Sequence, residues 1–192
     1  MEVKVSADVS IEPVSLDDMK QHIKWDDTDG AEDARILSMV KAARTLIEKR
    51  LNLSLGPKTL KIFFHRDDLA DNIVVLPYGP HGTISEFVKI DREGNETAMV
   101  LNTDYYKRGM EFIEIELFAV WSTYDVRELI DDFRITLPCG YGTTGLEAIP
   151  ETLKEAIAKQ AAEWYKYRED YHPKLSSEVL NMIEPFSRNY WL

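Results

Sequence analysis

The sequence is poor in three things, and each absence closes a class of function. Cysteine occurs once, as Cys139. A lone cysteine forms no intramolecular disulfide, so the chain reads as one that folds in a reducing cytosol. Within the run FRITLPCG it reads as a small, half-buried apolar residue on a strand rather than a reactive thiol. Basic residues are outnumbered, with 23 Lys and Arg against 34 Asp and Glu and a net charge of −11. Capture of nucleic acid through its phosphates needs clustered cations, which this balance argues against. An acidic wall beside DNA has the opposite use, because it repels phosphates and keeps the polymer from sticking. Long apolar runs are missing as well. No stretch approaches the length of a membrane span, and the opening MEVKVSADVS carries no apolar signal core.

What remains is ample for a folded protein. The chain has 192 residues, 44% of them hydrophobic, enough to bury a real core. It reads as helices, then strands, then helices. Ser15 is placed to cap a short helix through Ile23, with Asp18 favouring its positive end. After the acidic break DDTDG, a longer helix is expected from Ala31 to Leu51, with Ile36, Val40, Ala43 and Ile47 on one stripe. Gly56-Pro57 closes this region. From Lys58 to Tyr141 the period becomes two: Leu60, Ile62 and Phe64; Ile113, Ile115 and Leu117; Phe133, Ile135 and Leu137. This alternation predicts five or six antiparallel strands, each with one wet face. PYGPHG at 77–82, DREGN at 91–95 and the pair Arg108-Gly109 supply the turns. Helical spacing returns after Gly145. Pro150 suits a first helical position, and Leu153, Ile157, Ala161, Trp164 and Arg168 share a face. His172-Pro173 breaks that helix, and a last one is expected from Ser176 to Ile183 before Pro185.

Such short helices are unstable alone, so the two ends of the chain are expected to pack as one bundle. The expected fold class is α+β: a helical bundle from the N- and C-terminal helices (14–56 and 146–184) with an antiparallel β insertion (57–145). An aromatic tail, 185–192, ends the chain.

Several motifs imitate chemistry and fail on context. GYGTTG at 140–145 matches G-x-G-x-x-G, follows a strand and precedes a helix. The helix starts too late for its N-terminus to hold a pyrophosphate, and no second parallel strand follows. A dinucleotide-binding enzyme using Gly140–Gly145 is therefore the lesser alternative to a simple turn. The acidic run DDTDGAED at 26–33 suggests a calcium loop. With Gly30 in the sixth place, Trp25 and Ile36 fall where oxygen ligands are required. His22, His65, His81 and His172 show no metal-ligand spacing with one another or with Cys139. Asp131-Asp132 and the pair Glu114 and Glu116 alternate with strand apolar residues, as a solvated face does. The reading is a non-enzyme with no catalytic residue, metal or cofactor.

The end of the chain carries more. FSRNYWL places Phe186, Arg188, Tyr190, Trp191 and Leu192 on a terminal segment after a proline. Termini are polar and frayed unless tied down. This one must pack either on the chain's own bundle or on a partner, where aromatics with an Arg make typical anchors.

Two segments resemble the head–tail connector (adaptor, head-completion) family of long-tailed bacteriophages. At 14–55 a short helix carries Leu16-Asp17-Asp18-Met19-Lys20. An acidic gap with Glu32-Asp33 follows, then a long helix with Ala42-Ala43 and Ile47-Glu48. At 133–170 a closing strand and Gly-Tyr-Gly loop precede Ile149-Pro150, Leu153-Lys154, Ala156-Ile157, Trp164-Tyr165 and Arg168-Glu169. The two cover a little under half of the chain and leave 58–130 unmatched.

The resemblance implies a structural virion protein made in the bacterial host cytoplasm. Its bundle assembles into a closed homo-oligomeric ring, usually twelve-fold, beneath the portal protein at the neck. The ring joins the DNA-filled head to a downstream neck or tail protein, and DNA passes through without sequence-specific binding and without any membrane. In that setting Phe186, Arg188, Tyr190, Trp191 and Leu192 become the expected portal contact. A tail-completion or other neck protein is the neighbouring reading.

Overall fold

A computed structural model describes residues 1–9, 11–25, 30–91, 93–110, 112–118, 132–142, 148–167 and 174–187. The fold is mixed α+β, with four α-helices and two antiparallel sheets among the described residues. Two compact units divide the chain: Met1–Asp8 with Pro57–Glu147, and Val9–Gly56 with Ala148–Leu192.

The first unit is built of strands: β1 (Glu2–Ala7), β2 (Lys58–His65), β3 (Ile73–Val75), β4 (Glu86–Ile90), β5 (Glu96–Ala98), β6 (Tyr105–Arg108), β7 (Glu114–Leu117) and β8 (Asp132–Cys139). Seven of these lie between 58 and 141, more than the five or six expected, because β3, β5 and β6 are too short to display a period. One sheet runs β1-β2-β8-β4-β5 and the other β3-β7-β6. Strict alternation decides which residues are buried. Leu60, Ile62 and Phe64 of β2 pair in register with Leu137, Ile135 and Phe133 of β8, and all six are 0–1% exposed. Ile113, Ile115 and Leu117 come from the second sheet into the same core. Phe87 of β4 meets Tyr105 of β6 edge-on at 4.8 Å and so joins the two sheets, while Phe64 stacks on its strand partner Phe133 at 5.1 Å within the larger one. Cys139, expected half-buried, is fully buried. β1 was not legible as a strand, yet it forms the sheet edge against β2.

The turns follow their residue chemistry. Asp91 accepts from the backbone N–H groups of Glu93 and Asn95, and its carboxyl is held below the ordinary range, first by the Asn95 side chain. Gly109 has φ +78°, and a Cβ there would sit 2.1 Å from the Phe112 carbonyl oxygen. Only glycine fits this turn between β6 and β7.

The second unit holds α1 (Leu16–His22), α2 (Asp33–Leu51), α3 (Glu151–Lys166) and α4 (Ser177–Ile183). Ser15 caps α1 as expected, its Oγ accepting from the Asp18 N–H at 3.1 Å. Ser176 caps α4 in the same way. Pro150 is not the first helical residue but the cap before it, with extended ψ of 134°. The stripe Ile36, Val40, Ala43 and Ile47 is buried, as are Leu153, Ile157, Ala161 and Trp164 on α3; Arg168 lies outside the described residues. α2 packs on α3, α3 on α4, and α1 on both α2 and α3. Gln160 of α3 accepts from the Ser176 N–H at 2.8 Å and so ties α4 to α3.

Candidate interaction surfaces

A buried ionic knot lies inside the helical unit. Arg44 of α2 is 1% exposed and donates from Nε and Nη2 to Glu12 at 2.7 and 3.2 Å. Its Nη1 donates to Glu48 one helical turn on, at 2.9 Å. The other Glu48 oxygen accepts from the Leu55 N–H at 2.8 Å. Arg44 and Glu48 together thus gather the segment before α1, the helix α2 and the loop after it. Sequence spacing exposes only the Arg44–Glu48 half of this, as an i,i+4 pair; Glu12 stands 32 residues away.

A second ionic cluster covers the outer face of the five-stranded sheet. Arg134 of β8 reaches both Glu96 oxygens, one of them at 2.7 Å, and lies 3.4 Å from Glu86. Thr136 donates to Glu86 at 3.0 Å. The Arg134 hydrogen bond holds the Glu96 carboxyl below its ordinary range, and Glu96 in turn raises the guanidinium. Lys4 sits over the Phe63 ring at 4.9 Å on the same sheet.

His81 is 1% exposed. The Ile113 N–H reaches its Nδ1 at 3.2 Å, which makes Nδ1 the acceptor. Nε2 therefore carries the proton and donates to the Pro77 carbonyl at 2.9 Å. His81 is a neutral strut between the 77–82 turn and the approach to β7. His22 and His65 instead face carboxylates, Glu155 and Asp132. Among the described residues no group of three or more His, Cys, Asp or Glu could hold a metal ion, and no helix is long and apolar enough to cross a membrane.

The glycine motif follows β8, and β8 is antiparallel to both of its neighbours, β2 and β4. Gly140 and Gly142 have φ of +98° and +77° and turn the chain, and the Gly140 N–H donates to the Pro80 carbonyl at 2.7 Å. A dinucleotide site needs a parallel strand at this point. Positions 143–145 lie outside the described residues, as do 26–29 of the acidic run, Asp131 and His172.

Of the five expected portal contacts, only Phe186 is described, half-buried in a 3-10 turn, Glu184–Phe186. Arg188, Tyr190, Trp191 and Leu192 lie outside the described residues. Upstream of the tail, α4 separates two depressions. A groove of about 580 Å³ has Val14, Ala158 and Met182 as its floor and Asp18, Glu151 and Glu155 on its rim. A recess of about 330 Å³ lies against Arg50, Leu180, Asn181 and Glu184.

These features define a mixed α+β protein with ionic clusters and grooves at its surface. No family model matches the chain, and no curated protein matches it. Solved structures do. A chain of the neck of an empty gene transfer agent particle, computed with C6 symmetry, matches with a TM-score of 0.77 and 22% identity, covering 100% of this chain and 98% of that one. A chain of the virion of the native gene transfer agent particle gives the same values. A chain of the native neck, computed with C12 symmetry, matches with a TM-score of 0.74 and 21% identity over 100% and 98%. This chain has the fold of those neck and virion chains from end to end.

Proposed function

We propose that this chain is a structural subunit of the neck of a phage-like particle, a head–tail connector (adaptor). The observation that carries the reading is the end-to-end fold match, in which neither protein has more than a sliver left over. In this reading the helical segments 14–56 and 146–184 form the body of a homo-oligomeric ring, twelve-fold to match the portal above it. The β-rich segment 57–145 is the elaboration on that body, and 185–192 makes the portal contact. The downstream face meets the next neck or tail protein. A net charge of −11 suits a channel wall past which DNA must slide. The mechanism is geometric: two different surfaces on each subunit meet head to tail and close a ring.

Deletion of 186–192 tests the portal assignment. Loss of portal co-purification from a chain that still unfolds cooperatively is the expected result. Undiminished capture by the portal contradicts the assignment, and a chain that no longer folds assigns the tail to its own bundle instead.

A further inference from the structure

Ring closure requires two complementary surfaces on one subunit, and the helical unit offers a pair. The groove beside Met182 is rimmed by Asp18, Glu151 and Glu155. Lys154 already bonds Glu151 at 2.7 Å and His22 lies 3.9 Å from Glu155, yet the two glutamates remain 84% and 57% exposed. Each can therefore take a further cation. The floor of Val14, Ala158 and Met182 would accept the methylene stem of a long basic side chain.

The complement is the end of α2. Lys49 and Arg50 are exposed in its last turn, and neither makes an ion pair among the described residues. Arg50 lines the other recess, with Asn181 and Glu184 of the α4 end. Met182 of α4 lines the groove, whereas Leu180, Asn181 and Ile183 of the same helix line the recess with Glu184. The acidic groove and the basic corner therefore look out from different sides of α4. Surfaces that differ in place and sign suit a head-to-tail contact that can repeat, rather than a two-fold dimer.

We infer that the occupant of the acidic groove is the Lys49–Arg50 corner of a second copy of this chain. The inference rests on the ring reading above and gives it a residue-level contact. Lys49 and Arg50 also complement the dipole of α2, but that role is satisfied in water and requires no groove.

The test is a charge swap in the full chain, read as oligomer formation by sedimentation, alone and with portal present. Lys49→Glu with Arg50→Glu should weaken self-association about tenfold, as should Glu151→Lys with Glu155→Lys. All four changes together should restore it. Circular dichroism confirms folding, because every substituted side chain is at the surface or rim. In parallel, zero-length carbodiimide coupling of mixed light and heavy isotope-labelled wild-type protein should join Lys49 of one copy to Glu151 or Glu155 of another. Oligomers indifferent to both charge sets, unrestored by the four-fold variant, or coupled elsewhere overturn this contact alone. So does self-association that persists while only portal capture is lost. If the wild type forms no oligomer even with portal, the ring reading falls and this contact with it.

Discussion

Arg44 holds Glu12 through both carboxylate oxygens, at 2.7 and 3.2 Å, while its third contact keeps Glu48 paired inside the helical unit. The guanidinium ties the segment before α1 to α2, and Glu48 extends the tie to the loop at Leu55. Arg44→Met should remove about 3–5 kcal/mol of stability, since it breaks a buried ion pair by taking away one partner. Adding Glu48→Gln should recover part of that loss, because the amide oxygen can still accept from the Leu55 N–H. Urea unfolding of the two variants decides the matter. Equal stability of Arg44→Met and the wild type would mean that the knot is ornamental.

His81 supports a different prediction in the β unit. Both ring nitrogens are engaged, one by the Ile113 N–H and one by the Pro77 carbonyl. His81→Leu orphans both backbone groups, at about 1–3 kcal/mol each. Amide exchange at Ile113 should accelerate in step with that loss. Unchanged protection at Ile113 would rule out the strut.

The Glu96–Arg134 pair predicts an acid response. Glu96 is depressed from its ordinary 4.5, chiefly by the Arg134 hydrogen bond. A carboxylate with a folded value below its unfolded one stabilises at pH above the unfolded value. That contribution disappears as pH falls through the folded value. The wild type should therefore lose its advantage over Glu96→Gln as the medium is acidified below 4.5, measured as the difference in urea midpoint. A difference that stays constant through that range contradicts the assignment.

Gly109 gives a backbone test. Gly109→Ala places a Cβ against the Phe112 carbonyl at φ +78°, so the turn must rearrange. A cost of about 1–3 kcal/mol is expected. A variant as stable as the wild type would show that this turn adopts another path.

Much of the fold was legible because local chemistry and tertiary packing agree. Ser15 and Ser176 cap where hydroxyls precede helical spacing. The stripe of α2 and the alternation in β2, β7 and β8 are buried as their periods require. Short strands such as β3 and β5 carry too few residues to show a period. β1 alternates Glu2, Val3, Lys4 and Val5, but an edge strand with mostly exposed side chains resembles a polar terminus. Pro150 was placed one position late, since a proline with extended ψ precedes a helix as readily as it starts one. The clamp of Glu12 by Arg44 and the strut at His81 each join residues 32 apart in sequence, which no periodicity can reveal. The groove and the basic corner share that limit, being assembled from α1, α3, α4 and the end of α2.

Electron microscopy of the protein mixed with its portal ring would display the proposed ring itself. A second ring of this chain, twelve copies around a continuous channel, should stack on the portal. Bare portal rings at saturating protein, or copies bound away from the channel axis, would contradict it.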